Sequence, residues 1–168
     1  EDGQQRPVQP EDIVILMRSP GSRSAAFAAA LAERDIPCSF QESGDFFHTM
    51  EISVMLSLLE IVDNPRQDVP LISVLRSPLF GFTADRLAEV RSAAPTGDYY
   101  DAVTADGGED CKDFLAILSD LRQAGRDMSV HRLVWHIYNR LNVLGVFGAM
   151  DDGAARRENL IALSQHAE

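Results

Sequence analysis

The chain has 168 residues, 45% of them hydrophobic and 24% charged, which is enough for one ordinary domain or two small ones and argues against wholesale disorder. Fifteen Lys and Arg residues face 26 Asp and Glu residues, a net charge of −11, and Lys112 is the only lysine. A module that grips duplex DNA through its own phosphate contacts carries a basic surface, so by composition this chain is a poor nucleic-acid binder and any DNA contact must be local.

No apolar run approaches the roughly 20 residues of a membrane span, and the opening "EDGQQRPVQP" has neither the basic nor the apolar region of a signal peptide. Cys38 and Cys111 lack metal-type spacing. Cys38 follows an apolar stretch and reads as a reduced core thiol, which fits a cytosolic setting.

In chain order, "EDIVILM" (residues 11–17) is a β-branched apolar run that predicts a buried strand. The loop "RSPGSRS" follows, then "SAAFAAALAERD" at helical spacing, then "IPCSF" (residues 36–40) as a second strand. Strand, helix and strand in about 30 residues make a parallel βαβ unit. Two parallel strands leave faces and edges uncovered, so this reads as a piece of a larger sheet.

After Phe47 the pattern turns helical. "MEISVMLSLLEIVDN" is apolar around most of a helix, with Ile52, Met55, Leu56, Leu59 and Val62 on one face and Val54, Leu58 and Ile61 widening it. Five further helices are predicted: "VPLISVLR" capped by Asp68, "ADRLAEVRSAA" capped by Thr83, and "CKDFLAILSDLRQAG" with Gly125 just past its end. Then come "VHRLVWHIYNRL", capped by Ser129 with Val130, Leu133, Val134, Ile137 and Leu141 inward, and a last one from about Ala154 to the final residue. The expected class is therefore α/β but mostly helical: a partial parallel β-α-β piece over residues 1–47, then an all-α region of six helices over 48–168.

Motifs for chemistry are missing. The sequence holds no GxxxxGK[ST], GxGxxG or GxSxG. His131 and His136 lie five apart, on different helix faces, and the other two histidines are isolated, so no metal or catalytic residue is assigned. Arg156-Arg157 could hold a phosphate, but the pair reads first as an exposed first-turn pair beside Asp151 and Asp152. The one stretch that draws a ligand is "MRSPGSRS": Arg18, Ser19, Ser22 and Arg23 sit past the C-terminal end of a presumed parallel strand, where open α/β sheets bind ligands and a helix N-terminus can meet a phosphate. The competing reading is a capped loop whose arginines pair with the abundant carboxylates.

Three blocks carry a family resemblance: "DIVILMRS", "FFHTMEI" (Phe46 to Ile52) and "DNPRQDVPLISVLRSPLFGFT" (Asp63 to Thr83), joined near the end by Gly153, Arg157, Asn159 and Leu160. Together these resemble the C-terminal helicase half of UvrD/Rep-type superfamily 1 DNA helicases, in particular the AddA-type family of ATP-dependent helicase–nucleases. The resemblance implies an excised, non-catalytic segment. Residues 1–47 would be part of the second RecA-like domain (2A), and residues 48–168 the start of the helical 2B-type insertion. It further implies a parent enzyme acting in double-strand-break repair by recombination in the bacterial cytoplasm, using ATP and Mg outside this segment. Its partners would be DNA, through the parent, and the partner nuclease subunit, with no membrane. Asp45 and His48 stand where many relatives carry a basic residue.

On this reading Phe46, Phe47 and Glu51 form the junction between the two parts, with both rings buried. Two other functions remain open to the residues: an acidic helical protein-interaction module, and a small α/β enzyme holding a phosphate ligand with Arg18 and Arg23.

Overall fold

The computed structural model describes residues 6–16, 21–38 and 46–167. The chain divides into two compact units, residues 1–47 and 48–168.

In the first unit, the Ala-rich run forms helix α1, Gly21–Ala32, as its helix-favouring composition predicts. The flanking strands are not formed among the described residues. Pro10–Asp12 make a 3₁₀ turn braced by an Arg6–Asp12 ion pair, and Ile13 is extended (φ −104°, ψ 122°), its N–H donating back to the Pro10 carbonyl at 3.1 Å rather than to a neighbouring strand. Ile13, Val14, Ile15 and Leu16 stand 63, 76, 51 and 89% exposed. Residues 36–38 are likewise irregular, with Ile36 40% exposed, and the rest of that expected strand lies outside the described residues. The physical reason is that strand propensity is realised only against a neighbouring ladder, and neither run has one here. Cys38, expected in a core, is exposed for the same reason.

Phe46 and Phe47 begin a 3₁₀ turn that runs to His48 and pack edge to face, 5.0 Å between centroids. Phe46 is half-buried and Phe47 is 57% exposed, so the expectation of two buried rings fails for Phe47.

The second unit is all-α, and the mostly helical class holds. Its central helix is α2, Met50–Asp63, which packs on three others and buries Ile52, Val54, Met55, Leu58, Ile61 and Val62. The near-complete apolar circumference thus has its cause: α2 is covered from several sides. Asn64-Pro65 ends it, and α3 (Asp68–Arg76) returns against it with Leu71, Val74 and Leu75 buried. Thr83 caps α4 (Ala84–Ala93), its side chain accepting a hydrogen bond from the Arg86 N–H at 3.1 Å. Helix α6 (Glu109–Gly125) presents Cys111, Phe114, Leu118 and Leu121 to the core, and α7 (Val130–Arg140) presents Leu133, Val134, Ile137 and Tyr138.

Two helices lie where none was predicted: α5 (Tyr99–Ala105) and α8 (Val143–Gly148), giving eight among the described residues of this unit. Both are too short for periodicity to register. Their apolar contacts hold them instead, Tyr99, Ala102 and Val103 for α5, Val143 and Phe147 for α8. The last helix, α9, spans Gly153–His166 and buries Leu160 and Leu163, leaving Ile161 40% exposed.

Local assignments shift too. Asp68 is not a cap, because Gln67 holds that position, and its carboxylate instead accepts from the Tyr99 N–H at 2.7 Å. Ser129 stands at the N-cap of α7 without a side-chain cap bond, Gly125 is the last residue of α6, and Val130 is 57% exposed. Val130 yields its inward place to Tyr138, whose hydroxyl donates to the Leu160 carbonyl at 2.7 Å and so joins α7 to α9.

Among the largest fully buried side chains of this unit is Phe114, 1% exposed and edge to face with Phe80 at 5.0 Å. Phe114→Ala is expected to destabilise the chain by about 3–5 kcal/mol in a denaturant titration, the range for a buried aromatic replaced by a cavity.

Candidate functional site

The sequence-assigned phosphate loop is only partly visible. Arg18 and Ser19 lie outside the described residues, Ser22 sits in the first turn of α1, and Arg23 is exposed on the same helix. Of the three junction residues, Glu51 is the one the structure builds a site around.

Glu51 occupies the first turn of α2, and its side chain is 1% exposed. A carboxylate in that position needs partners, since an unpaired buried charge is strongly disfavoured. They come from α9, 105 positions away: Arg156 Nη1 donates to Glu51 Oε2 at 2.6 Å and Asn159 Nδ2 donates to Oε1 at 2.7 Å. Burial alone would raise the carboxyl pKa. Hydrogen bonds from Asn159, the backbone, Arg156 and Thr49 outweigh it and hold the group below its ordinary 4.5.

The surrounding backbone is shaped to allow this. Asp152 adopts a left-handed conformation (φ 57°) to start α9, and a Cβ on Gly153 would collide with the Gly148 carbonyl at the end of α8. Arg156 Nε also donates to the Asp151 carbonyl at 2.9 Å, and Leu160 is fully buried one residue beyond Asn159. The Arg156-Arg157 pair is therefore split. Arg156 turns inward to Glu51, correcting the exposed first-turn reading, while Arg157 lies over Gly148.

A second polar centre was not anticipated. Arg86 on α4 donates from Nε to Asp110 Oδ2 at 2.7 Å and from Nη2 to Asp106 Oδ1 at 2.5 Å. These bonds, led by that of Arg86 and followed by the Gly108 N–H, pull Asp106 down to about 2, and Asp110 is lowered by the same guanidinium. Asp106, Asp110 and Cys111 lie close enough together to resemble a cation site. The cation they hold is Arg86 itself. Burial first, and then the neighbouring Asp106, push the Cys111 thiol up to about 12, so it remains protonated and a poor ligand or nucleophile. His131 is also engaged structurally, with Nδ1 2.8 Å from the Ser164 carbonyl.

Neither centre has the parts of an active site. Each ties helices together by charge, and neither places a nucleophile or base in a cleft.

Glu51 and most of the helical unit lie within a segment matched by a known domain family. Residues 4–124 match the profile of the UvrD-like helicase C-terminal domain, and the chain belongs to that family. Over 98% of its length it is 38% identical to the A subunit of the ATP-dependent helicase/nuclease of Lactobacillus helveticus and 40% identical to that of Oceanobacillus iheyensis. The protein of the same name from Acetivibrio thermocellus is 40% identical over 96% of the chain. The chain spans 14% of the length of each of these relatives. No helix among the described residues is long and apolar enough to cross a membrane.

Two outcomes test the site. Arg156→Ala strands the Glu51 carboxylate and should cost about 3 kcal/mol by denaturant titration, near the low end for a broken buried pair because Arg156 keeps some contact with water. Adding Glu51→Leu to that variant should restore part of the loss.

For Arg86, the sign follows from Asp106, whose folded value lies below its ordinary one. The pair's contribution is complete above about pH 4 and is lost as pH falls towards 2. Arg86→Gln should therefore raise the Asp106 titration midpoint read by carbon NMR, and its stability deficit should shrink between pH 4 and 2. A deficit that is constant with pH would show the ion pair to be unimportant.

Proposed function

We propose that this chain is a non-catalytic segment of the larger, A-type polypeptide of an ATP-dependent helicase/nuclease that acts on DNA in double-strand-break repair by recombination in the bacterial cytoplasm. Residues 1–47 would supply part of the second RecA-like domain (2A) and residues 48–168 the start of the 2B-type helical insertion. The observation that carries this reading is identity to proteins of that name along nearly the whole chain. The absence of any GxxxxGK[ST] from the sequence, with its single lysine, agrees with a segment that hydrolyses no ATP itself.

A physical feature supports it from the other side. Ile13 to Leu16 form an exposed apolar run outside any helix, in keeping with a strand of a buried parallel sheet without its neighbours. In the parent, adjacent strands would cover it, ATP and Mg would bind elsewhere, and a partner nuclease subunit would complete the complex. Arg18, Ser19, Ser22 and Arg23 are the residues we assign to a local phosphate contact with DNA, and Phe46, Phe47 and Glu51 to the junction.

The test is an ATPase and DNA-binding assay on the full 168-residue chain. Background ATP turnover is expected, with weak, salt-sensitive DNA binding further reduced by Arg23→Gln. Robust ATP hydrolysis would refute the segment reading. Tight DNA binding would refute the claim that so acidic a chain makes only local contact.

A further inference from the structure

Five of the ten arginines of the helical unit are clamped by carboxylates: Arg66 by Asp98 and Asp101, Arg86 by Asp106 and Asp110, Arg91 by Asp68, Arg140 by Asp120 and Arg156 by Glu51. Arg122 and Arg126 are different. Arg122 lies on α6 and Arg126 follows one turn later at its C-cap, and neither side chain has a hydrogen bond or ion pair among the described residues. Nη1 of Arg122 is wholly buried without a partner. In a chain of net charge −11, a pair of like charges left uncompensated, one of them partly desolvated, calls for an anion.

Both arginines line one cleft of about 400 Å³ between α5 and α6. Ser119, Arg122, Gln123 and Arg126 recur at i, i+3, i+4 and i+7, so they form a single polar stripe along α6. Tyr100 and Thr104 face it from α5, and two leucines complete the wall. The Thr104 hydroxyl already donates to the Tyr100 carbonyl at 2.8 Å, and the nearby Asp101 is committed to Arg66. The cleft is therefore lined by two guanidinium-bearing side chains, hydroxyl and amide groups, and an aromatic and aliphatic wall. Its volume exceeds that of a bare phosphate and suits a phosphate joined to a sugar or ring.

We propose that this cleft binds the phosphate group of a nucleotide-sized phosphate ester, with Arg122 and Arg126 as its anion contacts. Guanidinium forks match phosphate oxygens in geometry and charge. The surrounding negative charge opposes a long polyanion tracking across the surface, which favours a single phosphate group held locally. This site shares no residue with the 18–23 loop and stands or falls independently of it.

The test titrates the full chain with inorganic phosphate, adenosine 5′-monophosphate and a short single-stranded oligonucleotide, reading melting temperature and calorimetric binding. The monophosphate ester should raise the melting temperature, and Arg126→Gln should weaken its binding about tenfold, the loss expected for a charge-assisted contact. Arg126 is exposed, so that variant should fold normally. Arg122→Gln should weaken binding at least as much, whereas Arg132→Gln, which removes an exposed charge outside the cleft, should leave it unchanged. Oligonucleotide binding with the same arginine dependence would identify a nucleic-acid strand as the source of the phosphate. No stabilisation by any of the three probes, or binding indifferent to both cleft substitutions, would overturn the proposal.

Discussion

A single buried carboxylate organises the helical unit. Glu51 sits in the first turn of an otherwise apolar helix and is almost entirely removed from water, so it is tolerable only with donors brought to it. Those donors, Arg156 and Asn159, arrive from 105 and 108 positions away. To deliver them, α9 must start in a left-handed turn at Asp152 and pass close to α8 at Gly153 and Gly148. The same pose buries Leu160 and sets its carbonyl to accept from Tyr138 on α7. One charge thus binds α2, α7, α8 and α9 into a mutually dependent arrangement. Apolar packing between these helices supplies most of the stabilisation, and the ionic contact selects which packing is allowed.

The acidic composition has a structural use as well. Several aspartates cluster around arginines that join helices distant in sequence: Arg66 reaches Asp98 and Asp101 at the start of α5, Arg86 reaches across to α6, and Arg91 reaches Asp68. Isolated exposed pairs contribute little, but the forked contacts of Arg86 with two carboxylates are stronger because the guanidinium is pre-shaped for them. Asp68 also receives the Tyr99 N–H, so it steadies the first turn of a seven-residue helix that is marginal alone. These charges are spent on internal order. The remaining excess of carboxylates is poorly suited to gripping DNA over a broad surface.

The residues singled out by family resemblance acquire physical roles of uneven kind. Gly153, Asn159 and Leu160 are explained by the close approach, the carboxylate contact and the core position just described. Arg157 proves less informative than its neighbour, since Arg156 makes the ionic contact. Phe46 and Phe47 hold each other, with Phe47 largely in solvent, so the aromatic pair does not act as a fully buried wedge.

Sequence periodicity alone determined the long helices: α2, α6, α7 and the core of α9 lie where apolar spacing predicts them, because amphipathic burial over three or more turns leaves a readable trace. The sequence also shows directly that no GxxxxGK[ST] phosphate loop is present, since that motif requires a lysine in a particular pattern. Tertiary structure decided the rest. Helices α5 and α8 are too short to show a period, and their formation depends on the neighbours that bury Tyr99 and Phe147. The apolar runs at 13–16 and 36–38 have strand composition but no described ladder, because strand pairing is a property of two segments and cannot be read from one. Glu51 was legible as part of a motif, yet its partners were not, for contacts across 105 positions leave no local spacing to recognise. Arg122 and Arg126 likewise look like ordinary surface charges in sequence. Only the folded chain shows that Asp101 and Asp120 are paired with other arginines and that a concave wall stands opposite Arg122 and Arg126.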